Sequence, residues 1–499
     1  MRAILSGMPA RLLAVAGLLA TVGVGVAAQH DATAHAAPPP ANASVFTPMV
    51  PQRLVDTRSG LGGIGGRFGF DESRAVQVTG KLGIPAGASA VTVNVTAVDS
   101  GGAGYVQVIP TGGAALRSSS TLNVDAIGQT IPNASFAPLN ADGQLTVFTT
   151  FPTDILIDVS GYFTPSAQSA AGRLVPLTPT RILDTRINLG YTPPAPPPTT
   201  TPTTTPATTP PTTAPKPGNP GDTKNCTDFA TYQEALAWFN TYFPYYGDVA
   251  NLDSDHDGQP CETLPGHPNL YAPRNTEAVP AANIVRLQVA GFGGVPLSGV
   301  SAVVMNVTAV NPAGPGYVQV APTPLTIGAS SNLNTSAGRT IANLVVVPLG
   351  SGGAVDLYAT VSADLLADVV GYFTDTTAQS STSGLFVPIT PNRQLDTREP
   401  APQVPLSAGT VTLIDINDIS TESIAIAGNL TATVATKDGY LQLAAAPVNP
   451  GTASNVNIAY NGQTIANAVV SPTASGLLDV YNAGPSHVLL DVTGWFTAG

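Results

Sequence analysis

Apolar and polar residues alternate in short runs along most of this chain. The stretches "VTVNVTAV" from Val91 and "AVVMNVTAV" from Ala302 show the pattern, as does "IAGNLTATV" from Ile426. Successive side chains of a strand point to opposite faces, so a period of two predicts half-buried strands. Gly, Pro, Asn or Asp separate one run from the next. About eight such runs fill each stretch of roughly 115 residues, which predicts mostly β structure and a β-sandwich in preference to a closed barrel.

The runs recur as a set. "PQRLVDTR" (Pro51–Arg58), "PTRILDTR" (Pro179–Arg186) and "PNRQLDTR" (Pro391–Arg398) are one motif written three times. Each copy continues through G-Y-[VL]-Q-[VL] and a G-[QR]-T-I segment, and closes on "DVSGYF", "DVVGYF" or "DVTGWF". From the Asp of D-T-R to the Gly of the closing motif is 105 residues in the first copy (Asp56 to Gly161) and 98 in the third (Asp396 to Gly494). In the middle copy, Asp184 to Gly371, it is 187. The middle copy therefore carries an insertion of about 85 residues in the loop after "LDTRINLG", where lengthening a surface loop costs little closure entropy. The expected domains are β-repeat 1 at 45–165, a discontinuous β-repeat 2 at 173–191 plus 270–375, and β-repeat 3 at 385–499.

Composition narrows the setting. The net charge of −12 argues against nucleic acid as a partner and against electrostatic docking to anionic lipid. Arg2 and Arg11, the apolar run Leu12 to Ala28 and the A-x-A-like Ala34-His35-Ala36 predict a signal peptide over 1–37. No later apolar stretch is long enough to span a bilayer, so the mature chain is expected to be secreted, with association at the cell surface being non-covalent.

The insertion opens with a Pro/Thr-rich linker, 192–221, whose composition cannot bury a core and predicts an extended polyproline-like segment. The small module at 222–268 follows. Phe229, Ala235, Leu236 and Phe239 recur at near-helical spacing and predict an amphipathic helix over Tyr232 to Tyr242. Beyond it lies "NLDSDHDGQPCE" (Asn251–Glu262). Alternate carboxylates at Asp253, Asp255 and Asp257 converge on a hard cation, Gly258 permits a sharp turn, and Gln259 adds a backbone carbonyl. Counting twelve EF-hand positions from Asp253 ends at Leu264 rather than a glutamate, and Glu262 is the nearby candidate to replace it.

The combination of "CTDF" at Cys226 with D-x-D-x-D-G-x-x-C-E at Asp253 to Glu262 resembles the Excalibur domain, a small extracellular calcium-binding module of bacterial surface proteins. The resemblance covers about 40 residues. It implies Ca2+ ligands at Asp253, Asp255, Asp257 and Glu262, and a disulfide between Cys226 and Cys261. The same bridge is favoured by these being the only two cysteines of an exported chain, both within one small module. The L-D-T-R…G-Y-F repeats also resemble β-repeat regions of secreted actinobacterial proteins, which implies export and no particular activity.

Other signals carry less chemistry. "GLGGIG" (Gly60–Gly65) satisfies G-x-G-x-x-G, but no βαβ unit surrounds it, so it is expected to be a loop rather than a dinucleotide site. The sequons at Asn94, Asn306 and Asn429 fall inside strands at one repeat position, which predicts side chains paired within the sheet. The D-T-R Asp and Arg and the Asp before G-[YW]-F recur in every copy. They are expected to form an Arg–carboxylate clamp between first and last strands, with Arg58→Ala destabilising, rather than three equivalent ligand pockets. Histidine is scarce (His256, His267 and His487 after the signal peptide), and no hydrolase triad or zinc motif is present, so no catalytic residue and no enzyme is expected. The sequence thus predicts a secreted calcium-binding protein of the cell surface or extracellular matrix. Its role would be structural, adhesive or carbohydrate-binding, its partners extracellular polysaccharide, cell wall or another surface protein. The competing reading is a secreted hydrolase with its site in the repeat loops.

Overall fold

The computed structural model describes residues 39–113, 115–191, 218–230, 232–246, 248–252, 260–261, 264, 278–328, 330–399, 404–451 and 453–499. The expected signal peptide, most of the Pro/Thr linker, and the expected ligands Asp253, Asp255, Asp257, Gln259 and Glu262 lie outside the described residues.

Three sets of eight strands follow one another. The first comprises β1 (Ser44–Asp56), β2 (Glu72–Gln77), β3 (Ala90–Val98), β4 (Gly104–Pro110), β5 (Leu122–Val124), β6 (Ile131–Pro138), β7 (Gln144–Thr149) and β8 (Asp154–Pro165). The second opens with β9 (Leu174–Asp184), is interrupted by the inserted helix α1 (Tyr232–Tyr246), and resumes with β10 (Asn283–Gln288), β11 (Val300–Val310) and β12 (Gly316–Pro322). It ends with β13 (Leu333–Thr335), β14 (Ile341–Pro348), β15 (Ala354–Ala359) and β16 (Asp364–Thr374). The third comprises β17 (Phe386–Asp396), β18 (Thr410–Asp415), β19 (Ser423–Thr433), β20 (Gly439–Ala445), β21 (Val456–Ile458), β22 (Ile465–Pro472), β23 (Leu477–Asn482) and β24 (His487–Thr497).

Within each set the strands, counted one to eight, form two antiparallel sheets of order 6-3-8-1 and 2-7-4-5. Each of the first six strands hands the chain to the opposite sheet or to an edge of its own, which is the order of a jelly roll, a sandwich of eight strands. Valines and leucines of the two sheets meet in three separate sandwich interiors, one per unit.

The three units are not strung out. A fourth apolar cluster lies between them, built from equivalent positions: Phe46, Leu174 and Phe386 from the first strands, and Phe163, Phe373 and Phe496 from the last. Ring centroids here stand 4.2 Å (Phe46–Phe373), 4.4 Å (Phe163–Phe386) and 5.1 Å (Phe386–Phe496) apart. Aromatic pairs of this geometry contribute roughly 0.5–1.5 kcal/mol each beyond their burial. The glycine of the closing G-[YW]-F motif makes the approach possible. A Cβ on Gly161 or Gly494 would come within 2.3 Å of ring atoms of Phe46 or Phe386, whereas Gly371 faces the slimmer Leu174 and has more room.

Around this centre the sequon asparagines find partners in a neighbouring unit rather than within their own sheet, which corrects the expectation from the sequence. Asn343 donates to the Asn94 Oδ1 (2.9 Å), Asn467 to the Asn306 Oδ1 (2.8 Å) and Asn133 to the Asn429 Oδ1 (2.9 Å). Unit two thus reaches unit one, three reaches two, and one reaches three, closing a ring. Each sequon amide in turn donates 2.6 Å to a carbonyl of the unit that grips it, at Ser331, Ser454 and Ser120. The connecting segments join in: the Phe46 N–H donates to the Gly172 carbonyl, and the Leu174 N–H to that of Gly384.

Candidate functional site

Three places on the chain carry enough chemistry to weigh as sites. The first is the repeated D-T-R. Its carboxylate is held locally: Asp56 accepts from the backbone N–H (3.0 Å), Nε (2.9 Å) and Nη2 (2.7 Å) of Arg58. Asp184 with Arg186 and Asp396 with Arg398 repeat the arrangement. The threonine between them folds back on the start of the last strand, its Oγ1 meeting Asp154, Asp364 or His487. The clamp to the closing motif exists, but a different arginine makes it. Arg53, Arg181 and Arg393, five residues earlier, hold Asp158, Asp368 and Asp491 through two bonds each. The register explains the difference. Each of these arginines stands directly opposite its aspartate across the sheet, whereas Arg58 lies beyond the strand end in a turn. Burial raises the Asp158 carboxyl above its ordinary value against the pull of Arg53.

In the third unit, hydrogen bonds from the Arg398 side chain hold Asp396 down at about 2, overcoming the opposing effect of burial. A carboxylate depressed on folding stabilises the folded chain above its unfolded pKa of about 3.9, and that contribution disappears as pH falls through the folded value. Urea midpoints measured from pH 5 to pH 2 should therefore fall more steeply for the native chain than for Asp396→Asn. Parallel curves would show that this bond adds nothing to stability.

The second place is the inserted module. A disulfide joins Cys226 to Cys261, with Cα atoms 5.2 Å apart and a sequence separation of 35. Closing a loop of that length contributes about 4 kcal/mol in the chain-entropy treatment. Helix α1 runs four residues past the expected Tyr242, to Tyr246, because apolar spacing marks the packed face and not the helix end. Glu234 accepts from the Ala230 N–H at the start of the helix. Ala235 and Phe239 pack on Ala250, Leu252 and Cys261, with Phe229 and Trp238 alongside. The Cys261 N–H donates to the Leu252 carbonyl at 2.8 Å, so the two ends of the acidic stretch are tied together. Among the described residues no group of three or more His, Cys, Asp or Glu is placed to hold a metal ion.

The third place was missed from the sequence. The loops between the fifth and sixth strands of all three units converge on a cavity of about 680 Å³. Equivalent isoleucines, Ile131, Ile341 and Ile465, line it, together with Gln129, Arg339 and Gln463 at the variable position of G-[QR]-T-I. In units one and three this position serves the loop itself: the Gln129 Oε1 accepts the Asp125 N–H at 2.9 Å, and the Gln463 Oε1 accepts the Ala459 N–H at 2.6 Å. Arginine has no acceptor and cannot do this. Arg339 instead lies over the Tyr460 ring of unit three, 4.5 Å from its centroid, with Nη1 donating to the Tyr460 hydroxyl at 3.3 Å. The same hydroxyl donates to Asp125 of unit one at 2.5 Å. Burial raises both the Asp125 carboxyl and the Tyr460 phenol. The one signal in the sequence was the Gln–Arg–Gln difference between copies.

No known family model and no curated protein matches the chain. Among solved structures it is similar to a chain from an archaeal virus described as a triple jelly roll fold with turret assembly, at 7% identity and a TM-score of 0.15 over 91% of each chain. It is also similar to the coconut allergen cocosin, at 10% identity and a TM-score of 0.12 over 62% of this chain and 77% of that one. Procruciferin, an 11S globulin from Brassica napus, is 10% identical with a TM-score of 0.09 over 62% and 76%. Likeness of this order carries no argument about function. Among the described residues no helix is long and apolar enough to cross a membrane.

Proposed function

We propose that this protein is a non-enzymatic extracellular scaffold, three jelly-roll units locked into one body that displays a disulfide-closed calcium-binding module. The observation that carries this reading is how the recurring polar residues are used. The D-T-R motifs, the clamp aspartates and the sequon asparagines are all taken up in bonds within and between units. Residues that recur three times in order to hold sheets together mark a framework, and a framework suits adhesion or display at a cell surface.

The calcium assignment rests on the sequence of the acidic stretch and is supported by its surroundings. Leu252 and Cys261, on either side of the three aspartates in sequence, are bonded to each other and sit on a small apolar core. Asp253, Asp255, Asp257 and Glu262 would supply carboxylate oxygens and Gln259 a carbonyl. The disulfide agrees with an oxidising compartment.

Titrating calcium into the intact protein should give saturable heat with a dissociation constant on the order of 10⁻⁴ to 10⁻³ M. Changing Asp253, Asp255 and Asp257 together to Asn should abolish it. Absence of heat at millimolar calcium would remove the metal from the reading. Incubation with polysaccharides should release no reducing ends, and their release would favour the hydrolase instead.

A further inference from the structure

The cavity where the three units converge departs from the repeat rule at one position, and that departure points outward. Gln129 and Gln463 use their side-chain carbonyls to hold their own loops. Unit two gives up that bond, and its loop is one residue shorter between the fifth strand and the shared isoleucine. Arg339 takes the place and contributes a positive charge that no carboxylate among the described residues bonds directly. Among the described residues it has no ion-pair partner, its contacts being the face and hydroxyl of Tyr460. Asp125 bonds to that hydroxyl rather than to the guanidinium, and its charge acts on Arg339 across it. The exposed guanidinium thus stands at the wall of the cavity, held by an aromatic ring that a carboxylate behind it fixes in turn.

The rest of the wall limits what could bind there. Ile127, Ile131 and Ile341 offer an apolar patch, and Thr130, Asn334, Ser336 and the amide of Gln463 offer hydroxyl and amide groups around it. A volume of about 680 Å³ falls within the range of ordinary small-ligand sites. A ligand matched to this wall has one apolar face, several hydroxyls and one anionic group. A planar guanidinium recognises a carboxylate best, through two parallel bonds.

We propose that this cavity binds a carboxylate-bearing sugar ring, a hexuronate unit of an acidic polysaccharide, with Arg339 as its carboxylate ligand. Tyr460 and Asp125 are positioning residues, holding the guanidinium without touching the sugar. The site is remote in sequence from the calcium module and independent of it, so either assignment can fail alone.

Calorimetry on the intact protein with D-galacturonate, D-glucuronate, D-galactose and acetate tests the idea. At least one uronate should bind, with galactose and acetate each about tenfold weaker or more, because the ring and the charge are both required. Arg339→Gln recreates the residue found in the other two units and is expected to fold. It should reduce uronate affinity to the galactose level while leaving the melting temperature unchanged. Tyr460→Phe keeps the ring but frees the guanidinium, and should weaken uronate binding while leaving galactose unaffected. The proposal is overturned if neither uronate gives saturable heat up to roughly 10 mM. Equal binding of acetate, or a uronate affinity in Arg339→Gln within twofold of the native chain, overturns it too.

Discussion

Replacing Asn467 with alanine should lower the unfolding free energy of the β body by roughly 3–5 kcal/mol. Asn467 is buried where units two and three meet. Its amide donates to the Asn306 Oδ1 (2.8 Å) and to the Asn455 carbonyl (2.6 Å), and its Oδ1 accepts the Leu344 N–H (3.0 Å). Alanine leaves those three groups buried without a partner, and each orphaned group costs about 1–3 kcal/mol. Denaturant unfolding followed at Trp495, which packs in the third unit, measures the loss directly, and a Trp238→Phe background removes the only other indole. Asn461→Ala, in an exposed turn of the same unit, is the control and should stay within about 0.5 kcal/mol. If Asn467→Ala also falls within that range, the ring of asparagines does not hold the units together.

The second large effect separates two arginines five residues apart. Arg53→Ala should cost about 3–5 kcal/mol, because it strands the Asp158 carboxylate, 4% exposed, without its counter-charge. Arg58→Ala should cost under about 1 kcal/mol, since its side chain is half exposed and bonds only to a turn carboxylate that Arg53 also reaches. Adding Asp158→Asn to Arg53→Ala should recover part of the loss by removing the buried charge. Equal destabilisation by the two single changes would mean that the cross-strand pair has no special weight.

Much of the framework was legible from residue order. Eight runs per copy and the insertion in the middle copy follow from pattern and spacing, and the bridge between Cys226 and Cys261 from the resemblance of the module and from these being the only two cysteines. What alternation could not reveal is what lies against the polar face of a strand. Along β3, Val91, Val93 and Val95 enter the sandwich, as the pattern requires. Thr92, Asn94 and Thr96 on the other face are buried as well, and Asn94 is bonded to a neighbouring unit. A polar residue facing water and one facing a polar interface look alike in a single sequence, so whether the copies join was not readable. The clamp was misassigned for a related reason. D-T-R is the most visible part of its motif, but pairing depends on register, and register places Arg53 rather than Arg58 across from Asp158. The cavity was overlooked because no single loop forms it. Asp125, Arg339 and Tyr460 are each more than a hundred residues apart and belong to three different copies.

The closed ring also bears on how such a body can change over generations. A trimer of identical subunits repeats every substitution at three symmetric places, so a loop that acquires an inserted module acquires it three times. Here one continuous chain supplies all three sectors, and each can drift separately. Leu174 replaces phenylalanine in one sector only, Arg339 replaces glutamine in one sector only, and the insertion interrupts a single copy. Joining the sectors in one polypeptide retains the interlocked centre of a trimer and removes the obligation to be symmetrical at the rim.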